Sequence, residues 1–230
     1  SYYHVLYQNR DEQEAERFIQ NILTHLDLPV NSRLLDLACG KGRHAKFLSE
    51  FNHQVMGVDL SPNSIEKTSE YAHEKLRFQT HDMREVIENE EFDVIFNLFT
   101  SFGYFDDESE NKRMCDSISQ MLVPGGRLLI DFMNAKKVIE NLVPAETKTI
   151  DGITFDITRT YDGKHIYKHI AVTDGEQVSR YMERVQAIKL LDFRSLLETH
   201  FEIIHTFGSY DLAPFDEEKS DRLILLAHLK

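Results

Sequence analysis

The chain has 230 residues, a formal net charge of −13 and 41% hydrophobic residues. This length suits one domain with a sizeable core, and no apolar run approaches the ~20 residues of a membrane helix. The first ten residues lack the apolar core of a secretory signal. The acidic balance disfavours a nucleic-acid partner, which calls for a basic face. Cys39 and Cys115 form no disulfide framework, so we expect a reduced, cytoplasmic protein.

The first part of the chain alternates predicted helices and strands. The spacing of apolar residues predicts a first helix over residues 10–26. Short apolar runs then predict five buried strands, at residues 34–37, 54–59, 76–79, 92–97 and 127–132. Further helices are predicted at residues 41–51, 61–75 and from 106 onwards. Such alternation predicts an α/β fold with a parallel sheet and right-handed crossovers.

The pattern changes near residue 134. From about residue 145 to 189 apolar residues recur with a period close to two, and Asp-Gly pairs stand at 151–152, 162–163 and 174–175. Asp-Gly between alternating runs predicts antiparallel hairpins, so we expect an insert of this kind. A helix over residues 190–199 and strands at 201–207 and 222–228 complete the prediction. The parallel sheet therefore ends in an antiparallel pair.

The stretch from Leu34 to Ala45 contains the most informative motif. An apolar run ends in the acid Asp36, and Gly40 and Gly42 follow in the spacing Gly-x-Gly. This pattern predicts a buried strand that breaks into a tight turn and then begins a helix. Because glycine has no Cβ, such a turn lets a ligand approach the backbone closely.

Two ligands are compatible with this turn. Residues 40–45 fit the dinucleotide fingerprint Gly-x-Gly-x-x-Gly/Ala, and Asp59 lies about twenty residues further on, which indicates NAD. Asp36 argues against NAD, because a carboxylate a few Å from a pyrophosphate costs several kcal/mol in a pocket of low dielectric. The same carboxylate suits a ligand with an ammonium and a sulfonium, such as S-adenosylmethionine. A strand-end Asp that only caps the turn is the remaining interpretation.

Together the motifs resemble those of class I S-adenosylmethionine-dependent methyltransferases. The motifs are Leu34–Gly42, Asp59 at the end of strand two, residues 81–84, residues 97–104, and residues 122–126 before strand five. The resemblance implies a Rossmann-like sheet of seven strands with the last strand antiparallel. Within this family the chain is similar to small-molecule enzymes, including amino-sugar N,N-dimethyltransferases, which share the Ala-Cys-Gly turn and an antiparallel insert after strand five.

The resemblance also implies a role for residues at successive strand ends. Asp36 and the turn backbone should hold the methionine part of the cofactor, Asp59 should accept from the ribose hydroxyls, and Asp82 should accept from the adenine amino group. His44 is either a cofactor contact or a surface residue. The predicted cofactor-binding residues are Asp36, Ala38, Cys39, Gly40, Gly42, His44, Asp59, Leu60, Ser61, Asp82, Met83, Asn97 and Leu98.

Aromatic residues mark the expected acceptor side. The N-terminal segment, about residues 1–27, is expected either to cover the cofactor as a lid or to pack on the sheet edge. The predicted substrate-binding residues are Tyr3, Tyr7, Arg10, Ser101, Phe102 and Tyr104. Candidate catalytic residues are Tyr104, His165 and His169, of which the two histidines share one face of a strand with Tyr167. No third ligand accompanies these histidines, so no metal is expected, and the strand is alternatively a surface or homodimer contact.

The predicted protein is a single methyltransferase domain over residues 1–230. We expect it to transfer a methyl group from S-adenosylmethionine to an N or O nucleophile of a small molecule by in-line displacement, leaving S-adenosylhomocysteine. Two alternatives remain at this point. One is an NAD-dependent oxidoreductase that uses the Gly-x-Gly-x-x-Ala turn. The other is an S-adenosylmethionine-binding module without turnover.

Overall fold

The computed structural model describes residues 2–6 and 12–230. Its helices are α1 (Tyr3–Leu6), α2 (Glu12–Leu26), α3 (Arg43–Glu50), α4 (Pro62–Thr68), α5 (Glu108–Met121), α6 (Ala135–Glu140) and α7 (Leu190–Leu197). Its strands are β1 (Arg33–Leu37), β2 (Gln54–Asp59), β3 (Leu76–Thr80), β4 (Phe92–Asn97), β5 (Leu122–Met133), β6 (Ala145–Ile150), β7 (Ile153–Tyr161), β8 (His165–Asp174), β9 (Gln177–Gln186), β10 (Phe201–Phe207) and β11 (Arg222–Leu229). No helix of the described ranges has the length and apolarity to cross a membrane.

Seven strands form the main sheet in the order β10-β11-β5-β4-β1-β2-β3. Strands β1 to β5 pair in parallel, whereas β11 runs antiparallel to both β5 and β10. This is the predicted seven-stranded fold with one antiparallel strand. The carboxyl ends of β1, β2 and β4 meet at one edge, together with the amino end of β11, so residues far apart in sequence come together there.

Strands β6 to β9 form a separate antiparallel sheet in sequential order. The predicted hairpins are confirmed, since Gly152, Gly163 and Gly175 occupy the three turns with left-handed φ angles of 81°, 98° and 57°. One face of this sheet buries Phe155, Ile157, Ile170 and Val172, and Tyr2, Val5 and Leu6 pack against them. Residues Tyr2, Val5 and Leu6 of the N-terminal segment therefore pack on a face of the insert sheet, whereas α2 of the same segment packs on the main sheet.

Apolar side chains fill both faces of the main sheet. Helices α2 and α3 cover one face with residues such as Phe18 and Leu48, and α5 and α7 cover the other with Ile118 and Phe193.

Some predicted boundaries differ from the structure. Helix α4 ends at Thr68 rather than near residue 75, because a bridge between His73 and Leu76 turns the chain into β3. Strand β5 begins at Leu122, before the Pro-Gly-Gly segment, because Leu122 already pairs with Phe92. Helix α6 was not predicted; Asn134 caps it by accepting from the Lys137 amide.

Candidate functional site

The glycine turn joins β1 to α3 and adopts left-handed backbone at three positions. Ala38, Gly40 and Gly42 have φ angles of 65°, 57° and 75°. A Cβ at Gly40 would meet no atom of residues 2–6 and 12–230 within 4 Å, so the backbone there is open toward this part of the chain. A Cβ at Gly42 would lie 2.7 Å from the Phe78 ring, so a side chain there would force the ring or the turn to shift. The turn therefore combines a tightly packed base with an open upper side, as close ligand approach requires.

Asp36 lies beneath this turn and is only 1% exposed. Its carboxylate accepts a hydrogen bond from the Ala45 amide of α3, while Oδ2 has no hydrogen-bond partner within residues 2–6 and 12–230. Burial, reinforced by the nearby Asp59 carboxylate, raises the pKa of Asp36 to about 7. The structure thus holds a buried acceptor oxygen at the strand end, and a cation placed above the turn would favour its charged form.

Asp59 connects the glycine turn to the end of β2. Its Oδ2 accepts from the Gly40 amide and its Oδ1 from the Ser61 amide, both at 2.9 Å. Ser61 in turn caps α4 by accepting from the Ser64 amide at 3.3 Å, and Leu60 between them is exposed. Each carboxylate oxygen can accept a second hydrogen bond. Asp59 can therefore organise the turn and still accept from a ligand diol.

Asp82, after β3, is held in an ion pair that the sequence reasoning missed. The Arg84 guanidinium donates from Nε at 3.0 Å and from Nη2 at 2.5 Å, and this bonding lowers the pKa of Asp82. Arg84 also pairs with Glu110 and lies 5.1 Å above the Phe105 ring. The neighbouring Met83 packs partly buried against the core. Arginine two residues after an acid is the sequence signal that indicates this pairing.

Asn97 lies at the end of β4 and is fully buried. Its Nδ2 donates to the Leu37 carbonyl at 3.0 Å, which ties β4 to β1. Its Oδ1 has no partner among the described residues. Leu98, which follows it, is 3% exposed. Asn97 therefore adds a second unpartnered, buried acceptor oxygen near the end of β1.

His44 and Cys39 are buried beside the turn. Burial, together with the Arg43 and Arg222 charges, lowers the pKa of His44 to about 3, so the imidazole is neutral at physiological pH. The expectation that His44 is a surface residue is wrong, because it packs 6.2 Å from the Phe99 ring. Burial raises the pKa of the Cys39 thiol, which makes it a poor nucleophile.

The loop after β4 carries the other predicted contacts. Ser101 Oγ donates to the Leu98 carbonyl at 2.8 Å, and Tyr104 is 52% exposed and accessible. Phe102 is fully buried and packs 5.2 Å from the Phe193 ring. The prediction of Phe102 as a substrate contact is therefore wrong, because its aromatic ring belongs to the core below the loop.

The remaining predicted residues do not converge on one site. Tyr3 begins α1, whereas Tyr7 and Arg10 lie outside the described residues. His165 is buried, with Nδ1 3.7 Å from Asp162 Oδ2 and Nε2 without a partner in the described part of the chain. His169 is exposed and stacks on Tyr167. Within residues 2–6 and 12–230, no group of three His, Cys, Asp or Glu side chains is placed to hold a metal.

Comparison with known proteins finds a family model that matches part of the chain. Residues 34–126 match the family described as "Methyltransferase domain". The chain is 31% identical to "Putative methyltransferase YqeM" of Bacillus subtilis over 49% of this chain and 47% of that protein. It is 25% identical to "dTDP-3-amino-3,4,6-trideoxy-alpha-D-glucopyranose N,N-dimethyltransferase" of Streptomyces venezuelae over 70% of each chain. The match thus spans about half the length of the first of these curated relatives.

The fold is also similar to that of solved structures. An S-adenosylmethionine-dependent methyltransferase from Clostridium acetobutylicum superimposes with a TM-score of 0.84 and covers 99% of this chain and 96% of its own, at 22% identity. At this identity the likeness establishes the fold. It includes the insert, since nearly the whole chain is matched.

Proposed function

We propose that this chain is a class I S-adenosylmethionine-dependent methyltransferase that transfers a methyl group from S-adenosylmethionine to a small molecule. The family match of residues 34–126 and the likeness of the fold support this proposal. The observation that carries the proposal is the open glycine turn with carboxylates at the ends of β1 and β2. Asp36 lies beneath the turn, and Asp59 accepts from the amide of Gly40 within it.

The residues around the turn fit this cofactor better than a dinucleotide. They supply acceptor oxygens: Oδ2 of Asp36 and Oδ1 of Asn97, both buried and unpartnered within the described residues, and the lone pairs of Asp59. Acceptors and negative charge favour an ammonium, a sulfonium and a diol, whereas they oppose a pyrophosphate. When bound, S-adenosylmethionine supplies a methyl group that is already activated on a sulfonium.

The protein's own contribution is to bind and orient. Asp59 is assigned to the ribose hydroxyls, the charge of Asp36 to the methionine end, and Asn97 and Leu98 to the region of the transferred methyl. Orientation of two reactants alone can lower a barrier by roughly 7–11 kcal/mol. The bond from the Gly40 amide to Asp59 ties the ribose acceptor to the turn, and the bond from Asn97 to the Leu37 carbonyl ties β4 to β1.

The acceptor that the comparisons support is an amino group on a small polar molecule. The Streptomyces venezuelae relative is named for dimethylation of an amino sugar. For such an acceptor the enzyme must favour the neutral amine, which a desolvated site or a nearby base does. His165 and the exposed Tyr104 remain the candidate groups for this task.

Three further assignments belong to the proposal. A cytoplasmic location agrees with two buried free thiols, Cys39 and Cys115. The net charge of −13 disfavours nucleic-acid acceptors. The insert sheet is the surface we assign to a homodimer, because β6 and β9 are the outermost strands of that sheet.

Substitution of Asp59 tests the cofactor assignment. Calorimetry with S-adenosylhomocysteine should show that Asp59→Ala loses at least about tenfold in affinity, because a charge-assisted acceptor for the diol is removed. Asp93→Ala is the matched control. Asp93 also accepts a backbone amide, from Arg33, but at the opposite end of the sheet. Wild-type affinity in Asp59→Ala would contradict the assignment.

Two measurements on the unmodified protein separate the candidate functions. Binding of NADH in place of S-adenosylhomocysteine in equilibrium dialysis would overturn the proposal in favour of an oxidoreductase. Release of S-adenosylhomocysteine should then be compared for an amino-sugar nucleotide and its hydroxyl counterpart. Release with the amine alone is the expected result. Binding without release for every amine in a metabolite library would indicate a module without turnover.

A further inference from the structure

The loop that follows β4 begins with two strained residues. Phe99 and Thr100 have φ angles of 61° and 63°, in the left-handed region that favours glycine. For an aromatic and a β-branched residue this conformation is costly, and it persists only where the surroundings impose it. The groups that hold the backbone of these two residues lie outside the loop.

Both backbone amides are bonded to one residue of β5. The Phe99 amide donates to Asp131 Oδ2 at 2.9 Å, and the Thr100 amide donates to the Asp131 carbonyl at 2.8 Å. Asp131 is 1% exposed. A buried carboxylate that receives only one amide would remain poorly compensated, so a further partner is required.

Arg222, the first residue of β11, is that partner. Its Nε donates to Asp131 Oδ1 at 2.8 Å, and its Nη2 lies 2.7 Å from the same oxygen in an ion pair and donates to Thr100 Oγ1 at 3.1 Å. Its guanidinium lies 5.8 Å from the centroid of the Phe99 ring and 5.6 Å from that of Tyr210. Tyr210 completes the cluster by donating from its hydroxyl to Asp131 Oδ2 at 3.2 Å. One arginine thus bonds the carboxylate that holds the loop, the loop's hydroxyl and the loop's aromatic ring.

The same loop contacts the helix that begins at the glycine turn. The Phe99 ring lies 5.2 Å from the Arg43 guanidinium and 6.2 Å from the His44 ring, and both residues belong to the first turn of α3. The residue before it, Leu98, is one that we assign to the transferred methyl. A change in the backbone of Phe99 therefore displaces groups on both sides of the proposed cofactor position.

We propose that Arg222 is a positioning residue for methyl transfer, which holds the Leu98–Thr100 backbone against α3 through Asp131. This inference rests on the proposed function and adds a residue more than 80 positions from any sequence motif of the site. The planar guanidinium explains why arginine is needed, because its several N–H donors reach the Asp131 carboxylate and the Thr100 hydroxyl together. A lysine ammonium provides a single point of charge.

The test compares Arg222→Met and Arg222→Lys with a matched control, Arg127→Met. Arg127 is a half-buried arginine on the same β5–β11 pair, bonded to the Leu26 carbonyl, but at the end remote from the loop. Two properties are measured well below the melting temperature of every variant. They are the affinity for S-adenosylhomocysteine and the hydrogen-exchange rates of the Phe99 and Thr100 amides.

We expect Arg222→Met to weaken S-adenosylhomocysteine binding at least tenfold and to speed exchange of both amides at least tenfold. Arg127→Met should stay within twofold of wild type in both properties, and Arg222→Lys should recover part of the affinity. A merely structural role would lower the melting temperature without changing either property in the folded protein. Wild-type affinity and exchange in folded Arg222→Met would therefore overturn the inference.

A second variant covers the case in which Arg222→Met does not fold. Thr100→Val keeps the β-branched shape and the Arg222–Asp131 pair but removes the hydroxyl that accepts from Nη2. It should speed exchange at Thr100 and weaken binding two- to fivefold, and unchanged values would contradict the inference. If wild type itself does not bind S-adenosylhomocysteine, the proposed function fails. The hydrogen-exchange comparison still tests whether Arg222 holds the backbone of Phe99 and Thr100.

Discussion

The glycine turn and the loop after β4 lie at the same edge of the sheet but are held in different ways. In the turn, the residues that fix the backbone lie on the strands β2 and β3: the Asp59 carboxylate accepts from the Gly40 amide, and Gly42 packs against the Phe78 ring. In the loop, the bonds come from Asp131 on β5 and Arg222 on β11.

The far end of the loop is held in the same distant manner. The Gln186 side chain, in the insert, accepts from Asn111 at 2.7 Å and donates to the Phe105 carbonyl at 2.9 Å. The Gln186 backbone amide donates to the Gly103 carbonyl at 2.8 Å. The comparison teaches that the cofactor side is held by the next two strands of the chain, β2 and β3, whereas the acceptor loop also depends on the insert and on β11, more than 80 positions later. A change in the insert can therefore alter the acceptor loop while leaving the turn intact.

The largest effect is expected from a side chain placed in the turn. In Gly42→Ala the new Cβ would meet the Phe78 ring at 2.7 Å and the residue would keep a φ of 75°. We expect loss of S-adenosylhomocysteine binding by at least about a hundredfold in calorimetry and a lower melting temperature, because ring and turn must both shift. Gly152→Ala is the control, since its φ is 81° but its Cβ would meet nothing within 4 Å. It should lose only about 1 kcal/mol of stability.

An intermediate effect is expected at the contact between insert and loop. Gln186→Leu leaves Asn111 and the Phe105 carbonyl without a partner, which should lower the free energy of unfolding by about 1–3 kcal/mol in urea titrations. Gln120→Leu is the control, because Gln120 is exposed and its side chain donates to the Asp116 carbonyl of its own helix. If Gln186→Leu also left S-adenosylhomocysteine affinity unchanged, the independence of the two regions would be supported. A large loss of cofactor affinity would contradict it.

The smallest effect is a dependence on pH. With the pKa of Asp36 near 7, its charge is lost as pH falls through that value, so affinity for the cationic S-adenosylmethionine should drop up to about tenfold from pH 8 to pH 6. Asp59 and Arg43 are the charged groups near Asp36, and the neutral His44, with its pKa near 3, does not titrate in this range. Asp36→Asn should bind more weakly and without this dependence. A pH-independent wild type would contradict the role of Asp36.

The raised pKa of Asp36 also affects the stability of the protein without ligand. Because folding raises the pKa of this acid from 3.8 to about 7, the protonated form is favoured in the folded state, and stability is lost as pH rises through that interval. Asp36→Asn should therefore be more stable than wild type at pH 8, and equally stable near pH 3. Thermal unfolding without ligand at the two pH values measures the difference. If Asp36→Asn is more stable than wild type at pH 8 but binds S-adenosylmethionine more weakly, then Asp36 serves ligand binding and lowers the stability of the free protein.

Much of the fold was predictable because its signals are local. Three Asp-Gly pairs predicted the hairpins of the insert, and the apolar runs predicted the parallel strands. Phe102 shows the limit of this reasoning, because an aromatic residue in a loop is typical of both a ligand wall and a core. Arg84 shows another limit, since only the folded chain brings it to Glu110.

The sequence by itself determined the fold class, the turn and the acids beside it. Glycine conformation, strand periodicity and the position of an acid at a strand end all act within a few residues. Only the tertiary structure decided that His44 is buried and neutral, that Phe102 belongs to the core, and that Arg222 and Gln186 hold the acceptor loop. The physical reason is that burial and partner choice depend on which distant strands become neighbours, and that pairing is established by the packing of the whole sheet.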